Sequence, residues 1–256
     1  MSTPELSTPQ PSTPHVVTPA SATDEIDVAD TGNGAVIEIT DTWKLHKLGD
    51  EVVKSLVAAD LRVMPGEFVC LMGPSGSGKS TLLNIIGGLD RPTKGTVRIA
   101  GRDTAALSES EFAALRHDII GFIFQSYNLI PFLSAVENVE LPLVFEPYDR
   151  KALRRRATEL LELVGLGHRI DHQPTKMSGG EQQRTAIARS LISNPTLVLA
   201  DEPTANLDHK TGETVVRMLR DLCSTMGVTV VASTHDPTVA DEASRVVRMK
   251  DGRILA

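Results

Sequence analysis

The chain has 256 residues, 41% of them hydrophobic and 23% charged, which is long enough for one large domain or two modest ones. Residues 1–35 carry five acidic and no basic side chains, so the other 221 residues account for only −2 of the net charge of −7, which does not favour binding to nucleic acid. No apolar stretch approaches the ~20 residues of a membrane span, and the N-terminus lacks the basic start and apolar core of a signal peptide, so we expect neither membrane insertion nor secretion.

The N-terminal segment is predicted to be a disordered tail. A Ser-Thr-Pro triplet recurs every five residues, at positions 2–4, 7–9 and 12–14, and a Thr-Pro pair follows at 18–19. Frequent proline and few apolar side chains cannot support a packed core, so we assign residues 1–35 to this tail. A folded domain is predicted from 36 to 256, with its first strands at Val36–Ile39 and Leu56–Val63.

Residues 71–81 read LMGPSGSGKST, in which a glycine, four further residues and Gly-Lys-Ser have the spacing of a phosphate-binding loop. The apolar run Phe68–Met72 predicts a buried strand before this loop, and Thr81–Ile86 predicts a helix after it. Backbone N–H groups of such a loop surround a phosphate, its lysine reaches the β- and γ-phosphates, and its serine can ligate Mg²⁺. The predicted phosphate-binding residues are Gly73, Pro74, Ser75, Gly76, Ser77, Gly78, Lys79, Ser80 and Thr81. We therefore predict that the chain binds a nucleoside triphosphate.

The middle of the chain changes from mixed to helical character. The pattern predicts strands at Gly95–Ile99 and Ile119–Phe124 and helices at Ser108–Arg116 and Lys151–Val164. Helix-forming residues dominate from about 126 to 177, so we predict a helical subdomain there. The run Arg154–Arg156 within the last helix is interpreted as a solvated face.

The last third alternates between helices and apolar strands. The pattern predicts helices at Thr185–Ile192 and Lys210–Met226, strands at Thr196–Ala200 and Val228–Ala232, and a closing hairpin at Arg245–Met249 and Arg253–Leu255. Such alternation is typical of a parallel sheet that is covered on both faces.

Two further motifs lie in this region, and each has a plainer alternative. Asp201 and Glu202 follow a predicted strand, where they could hold the Mg²⁺ shell and polarise a water, or could form an ordinary turn. The sequence from Ser178 to Glu181 reads SGGE before a helix, with Ser178 as N-cap. It is either a capped helix or a second phosphate cradle; since one nucleotide does not need two cradles, the second would serve a nucleotide bound mainly by another copy.

The order and spacing of four motifs resemble those of ABC-transporter ATPases: the phosphate loop, the SGG segment, Asp201-Glu202-Pro203 and Thr234-His235-Asp236. The resemblance covers about 220 residues, roughly Val36 to Leu255. The segments at 84–92, 121–125 and 137–142 resemble the lipoprotein-releasing and macrolide-exporter group, which also includes a cell-division ATPase. The resemblance implies an α/β P-loop NTPase fold with a RecA-like core, a β-subdomain and an inserted α-helical subdomain.

The resemblance also implies roles for individual residues. Gln125 would touch Mg²⁺ or the attacking water, so that Ser80, Gln125 and Asp201 would form the metal site. Glu202 would be the catalytic base, with Lys79 and His235 contacting the γ-phosphate. Ser178, Gly179 and Gly180 would contact the γ-phosphate across a dimer, together with Glu181, which stands where many relatives have Gln. His46 would stack on adenine where the family has an aromatic residue, although Trp43 is a rival.

The resemblance implies ATP and Mg²⁺ as cofactors, a second copy of the chain in an ATP-sandwich dimer, and a membrane permease of the extracellular-loop type as partner. The chain would then be cytoplasmic and held at the inner face of the membrane by that permease. The leading interpretation is an ATPase subunit for export or mechanotransmission. The alternative is a regulatory ATPase of a cell-wall-hydrolase complex that moves no substrate. An ABC ATPase of DNA repair or translation would need a coiled-coil insertion or tandem domains.

Overall fold

The computed structural model describes residues 34–49 and 51–255, so the predicted tail at 1–35 lies outside the described residues except for its last two positions. The strands of the described part are β1 (Ile37–Leu48), β2 (Glu51–Val63), β3 (Phe68–Met72), β4 (Lys94–Ile99), β5 (Arg102–Asp103), β6 (Ile120–Ile123), β7 (Leu197–Asp201), β8 (Thr229–Thr234), β9 (Arg245–Lys250) and β10 (Arg253–Ile254). Its α-helices are α1 (Lys79–Ile86), α2 (Glu109–Ile119), α3 (Ala135–Glu140), α4 (Arg150–Leu163), α5 (Gly179–Ser190), α6 (His209–Met226) and α7 (Pro237–Glu242).

The strands form two sheets. One has four antiparallel strands in the order β2-β1-β4-β5, and the other has six in the order β10-β9-β3-β8-β7-β6. In the second sheet all neighbouring strands are parallel except β10, which pairs with β9 as an antiparallel hairpin. The predicted parallel sheet and the predicted closing hairpin are both confirmed.

The parallel sheet separates two hydrophobic cores, and alternate residues of its strands face each core. On β3, Phe68 and Cys70 belong to one core, whereas Val69 and Leu71 belong to the other. The first core includes the buried faces of α4, α5 and α6, and the second includes α1, α2 and the antiparallel sheet. Because β3 is buried on both faces, it reads as the continuous apolar run seen in the sequence.

The helices between β6 and α5 extend the first core. Helix α4 begins at Arg150, where Asp149 caps it, and its residues Leu153, Ala157, Leu160 and Leu161 are buried. The apolar stripe predicted for this helix is therefore confirmed. The subdomain limits at 126 and 177 remain predictions.

The interpretation of Arg154–Arg156 as a solvated face is wrong for Arg156. Its side chain is buried, and its Nη2 donates to Asn194 Oδ1 at 2.5 Å. Asn194 lies 38 residues further along the chain, so a helical periodicity could not reveal it. The sequence also gave no sign of the short helices α3 and α7, and it underestimated the lengths of β1 and β2.

Candidate functional site

A pocket of about 740 Å³ opens where the loop after β3 enters α1. It is lined by Val53, Ser55, Pro74, Ser75, Gly76, Ser77, Gly78, Lys79, Ser80, Thr81, Gln125, Glu202 and His235. Eleven of these thirteen residues are site residues expected from the sequence, and they come from segments up to about 180 positions apart.

The loop leaves the N-terminus of α1 open. Gly78 at the N-cap has φ of +100°, and no side chain caps the helix. A β-carbon at Gly78 would lie 2.5 Å from the Ser55 carbonyl oxygen, so only glycine fits. The buried Lys79 donates its ammonium protons to the carbonyls of Gly73 (2.7 Å) and Pro74 (3.2 Å). Uncapped N–H groups, a helix dipole and a buried cation together favour an anion here.

Oxygen ligands meet at the side of this pocket. Asp201, the last residue of β7, accepts hydrogen bonds at Oδ1 from Ser80 Oγ (3.0 Å) and from Ser233 Oγ (2.5 Å). A carboxylate and a hydroxyl are hard oxygen donors, which Mg²⁺ binds in phosphate-handling sites together with phosphate oxygens. Ser80 and Asp201, two of the three residues expected to hold Mg²⁺, therefore have the donor chemistry that this ion prefers, and Gln125 lines the same pocket.

Glu202 connects the lysine to the histidine. Its Oε1 lies 3.8 Å from Lys79 Nζ and its Oε2 lies 3.0 Å from His235 Nδ1. Its backbone has φ of +46°, which is unusual for a residue with a side chain, and its N–H donates to the Ser233 carbonyl at 3.0 Å. Such a conformation persists only where the surroundings hold it, and it clusters at functional sites. Here it directs the carboxylate into the pocket.

Gln125 follows β6 and belongs to a loop that is held from two sides. Its carbonyl accepts from Asn206 Nδ2 at 2.8 Å. Further along, the Arg189 guanidinium of α5 donates to the carbonyls of Tyr127 (2.6 Å) and Asn128 (2.5 Å), and both residues have positive φ. Burial lowers the pKa of Arg189. The loop of Gln125 is thus tied both to α5 and to the segment after Glu202.

Ser178, Gly179, Gly180 and Glu181 lie outside the pocket. They form the N-terminus of α5 as a capping box, in which Ser178 Oγ accepts from the Glu181 N–H (3.3 Å) and Glu181 Oε2 accepts from the Ser178 N–H (2.8 Å). The Ser178 N–H, the Ser178 hydroxyl and Arg169 lower the pKa of the Glu181 carboxyl, while burial opposes them. The sequence-based N-cap assignment of Ser178 is confirmed.

His46 does not line the pocket either, but it is next to it. It pairs across the β1–β2 ladder with Val53, which does line the pocket. Directly paired residues place their side chains on the same face, and His46 is exposed. Trp43 is engaged elsewhere, since its Nε1 donates to Asp41 Oδ1 at 2.8 Å and Lys94 Nζ lies 5.8 Å from its ring. This arrangement favours His46 over Trp43 beside the pocket.

Sequence reasoning missed three residues of the site. Val53 and Ser55 belong to the first half of β2, and the strand was predicted only from Leu56 onward. The apolar pair Val52-Val53 before that strand was a usable signal. Ser233 immediately precedes the Thr234-His235-Asp236 motif that was singled out for His235. Its bond to Asp201 follows from the pairing of β7 with β8, in which Asp201 lies opposite Ser233.

Within the described residues, no helix combines the length and the apolar character that crossing a bilayer requires.

Comparison with known proteins agrees with this geometry. The family described as "ABC transporter" matches residues 56–205. An uncharacterized ABC transporter ATP-binding protein of Thermotoga maritima is 52% identical over 219 residues, which are 86% of this chain and 93% of that protein. The macrolide export ATP-binding/permease protein MacB of Syntrophobacter fumaroxidans is 50% identical over 86% of this chain, which spans 31% of that longer protein. The dimeric, post-hydrolysis structure of the ATP-binding cassette MJ0796 bound to ADP and Pi has a TM-score of 0.80 and 46% identity, covering 86% of this chain and 97% of that one.

Proposed function

The chain belongs to the ABC transporter family as an ATP-binding subunit that hydrolyses ATP, and from this premise we propose how it works. Two copies sandwich two Mg²⁺·ATP head to tail. Each site combines the phosphate loop of one copy with the segment Ser178–Glu181 of the other. The dimer drives a separate membrane permease, in export or in mechanotransmission.

One observation carries this proposal. The phosphate loop, Gln125, Glu202 and His235 share one pocket, while Ser178–Glu181 begins a helix outside it. A second helix N-terminus with exposed Ser178 is suited to a phosphate that another copy presents. The two MJ0796 structures are dimeric, and one of them holds ADP and Pi, which supports a dimer as the working form.

The contacts around Glu202 support its role as the base. When a triphosphate occupies the loop, Lys79 exchanges the carbonyls of Gly73 and Pro74 for phosphate oxygens, which stabilises the charge of the transition state. Glu202 then accepts a proton from the attacking water, and His235 hydrogen-bonds the γ-phosphate. Ser80, Gln125 and Asp201 would hold Mg²⁺, which neutralises phosphate charge when bound.

An apolar groove between the core and the helical segment supports docking of a permease. The groove, of about 430 Å³, includes Leu89, Phe124 and Pro142 as well as His117 and Arg189. Phe145 is 96% exposed and is next in sequence to Glu146, whose carboxylate lies 3.8 Å from Nε2 of the groove residue His117. Exposed aromatic side chains of this kind mark protein interfaces. Since Arg189 also holds the loop of Gln125, a permease segment here could sense the nucleotide site.

The permease would keep the chain at the cytoplasmic face of the membrane. MacB proteins, which carry an ATP-binding part and a permease in one chain and are named for macrolide export, support the choice of export.

The first test is the Glu202→Gln variant. It should retain ATP binding, lose about 100- to 10,000-fold in hydrolysis because the base is gone, and form an ATP-dependent dimer. A fluorescent ATP analogue measures the binding, phosphate release measures the hydrolysis, and analytical ultracentrifugation measures the dimer. Glu213→Gln on α6, a glutamate whose side chain is 40% exposed and which does not line the pocket, is the matched control. Hydrolysis at the wild-type rate would remove Glu202 as the base.

The partner is tested with the same variant. Purified from its native membrane with ATP, Glu202→Gln should bring a permease with a large extracellular domain. A cell-wall hydrolase in the same complex would indicate the regulatory alternative, and soluble partners alone would contradict transport.

A further inference from the structure

An Arg–Glu pair stands directly behind the capping box of α5. Arg169 Nε donates to Glu181 Oε1 at 2.9 Å, and Arg169 Nη1 donates to His172 Nε2 at 3.1 Å. The other carboxylate oxygen of Glu181 accepts from the N–H and the hydroxyl of Ser178, at 2.8 and 3.0 Å. All four side chains lie outside the phosphate-loop pocket.

Glu181 suits a helix N-terminus but not a phosphate. A carboxylate in the first turn interacts favourably with the helix dipole and completes the cap. In the proposed dimer, however, the same N-terminus receives the γ-phosphate of the partner's ATP, so two anions would meet at short range. The Glu181 carboxylate also holds the hydroxyl proton of Ser178, which that phosphate needs as a donor.

We propose that Arg169 is a positioning residue for this second phosphate cradle, which it makes usable by neutralising Glu181 and by weakening the hold of Glu181 on the Ser178 hydroxyl. The inference rests on the proposed dimer and assigns to Arg169 a role in it. Arg169 acts through Glu181 and Ser178, and His172 fixes the orientation of its guanidinium. The Arg169 side chain is 34% exposed and that of Glu181 14%, so solvent still screens the arginine end of the pair and limits its contribution to stability. Its main effect is therefore expected on dimer formation.

The test is a double-mutant cycle on the Glu202→Gln protein, with ATP-dependent dimer formation followed by analytical ultracentrifugation. Arg169→Gln should raise the ATP concentration for half-maximal dimer about tenfold, because it leaves an uncompensated carboxylate beside the phosphate. Glu181→Gln should lower that concentration about twofold, because it removes the charge and frees Ser178. In the double variant, the ATP concentration for half-maximal dimer should lie within about twofold of the value for Glu181→Gln, because the carboxylate that Arg169 neutralises is then absent.

Two controls separate this role from a structural one. Arg155→Gln removes another arginine of the helical segment, paired with Glu159 at 3.9 Å, and should leave dimer formation unchanged. A fluorescent ATP analogue, measured at protein concentrations too low for dimers, should bind all variants equally, because Arg169 does not line the pocket.

The outcomes are distinct. The role of Arg169 would be overturned if Arg169→Gln left dimer formation unchanged, or if the double variant formed dimers as poorly as Arg169→Gln. Either result would leave the proposed dimer itself standing. A Glu202→Gln protein that binds ATP but stays monomeric would overturn the proposed function, and this inference with it.

Discussion

The two helices that are proposed to meet phosphate begin in opposite ways. Helix α1 starts after Gly78, with no side chain on its N-terminal N–H groups and with the buried Lys79 beside them. Helix α5 starts after Ser178, in a capping box where Ser178 and Glu181 already satisfy each other. The first N-terminus is open to an anion, whereas the second must exchange bonds to accept one.

This difference indicates a division of labour. The open N-terminus can bind nucleotide in a single copy, because its cation and its N–H groups are in place without a ligand. The capped N-terminus is already satisfied without nucleotide, and in the proposed dimer it would respond only when a phosphate displaces Glu181 from Ser178. ATP binding to one copy would therefore precede dimer formation.

Among changes at the two helix N-termini, the largest effect is expected from removing the cation of the open one. Lys79→Ala should weaken ATP binding about a hundredfold, because a buried ammonium that contacts phosphate is lost. Isothermal titration with ATP measures it, and Lys210→Ala on the exposed side of α6 is the control. Unchanged affinity would mean that nucleotide does not bind at α1.

Adding a methyl group at the N-terminus of α5 should instead weaken dimer formation. In Gly180→Ala the new β-carbon would lie 2.4 Å from Thr211 Cγ2, so α5 and α6 must shift, which costs about 1–3 kcal/mol of unfolding free energy. We expect ATP-dependent dimer formation on the Glu202→Gln protein to fall about tenfold with ATP binding to single copies retained. Gly212→Ala, whose β-carbon would be 3.6 Å from Thr204, should be tolerated. Equal effects of both variants would contradict the assignment.

Two roles of Ser178 can be separated by mutation: its contribution to stability as N-cap of α5, and the proposed contact of its hydroxyl with phosphate. Ser178→Ala should lose about 1 kcal/mol of stability, whereas Ser178→Gly should lose only a few tenths. Both remove the hydroxyl, so both should weaken ATP-dependent dimer formation about equally. Urea unfolding and ultracentrifugation measure the two quantities. If dimer formation instead followed stability, Ser178 would be a cap and nothing more.

The smallest expected effect concerns the adenine. His46→Tyr offers a larger stacking surface beside Val53 and should tighten ATP binding two- to threefold, by about 0.5 kcal/mol. GTP and ATP affinities of the variant, compared by titration, give the readout. No change would leave the base unstacked by residue 46.

The sequence predicted the N-terminus of α1 far better than it predicted the side chains that surround the N-terminus of α5. Strand β3, the phosphate loop and α1 are contiguous, so apolar runs and glycine spacing predict them closely, although α1 begins at Lys79 rather than at Thr81. The cap at Ser178 was local and was also found. The neutralisation of Glu181 by Arg169, like the burial of Arg156 against Asn194, depends on side chains brought together by folding. The periodicity of apolar residues along the sequence does not reveal contacts between distant side chains.

The clamp of Arg189 on the loop after Gln125 has an evolutionary consequence. Arg189 contacts the main-chain oxygens of Tyr127 and Asn128 rather than their side chains. A main-chain oxygen is present whatever side chain the residue carries, so substitutions that keep the positive-φ backbone of Tyr127 and Asn128 would leave the clamp intact. Side chains of this loop could therefore change to suit the proposed permease while the tie of the loop to α5 is kept.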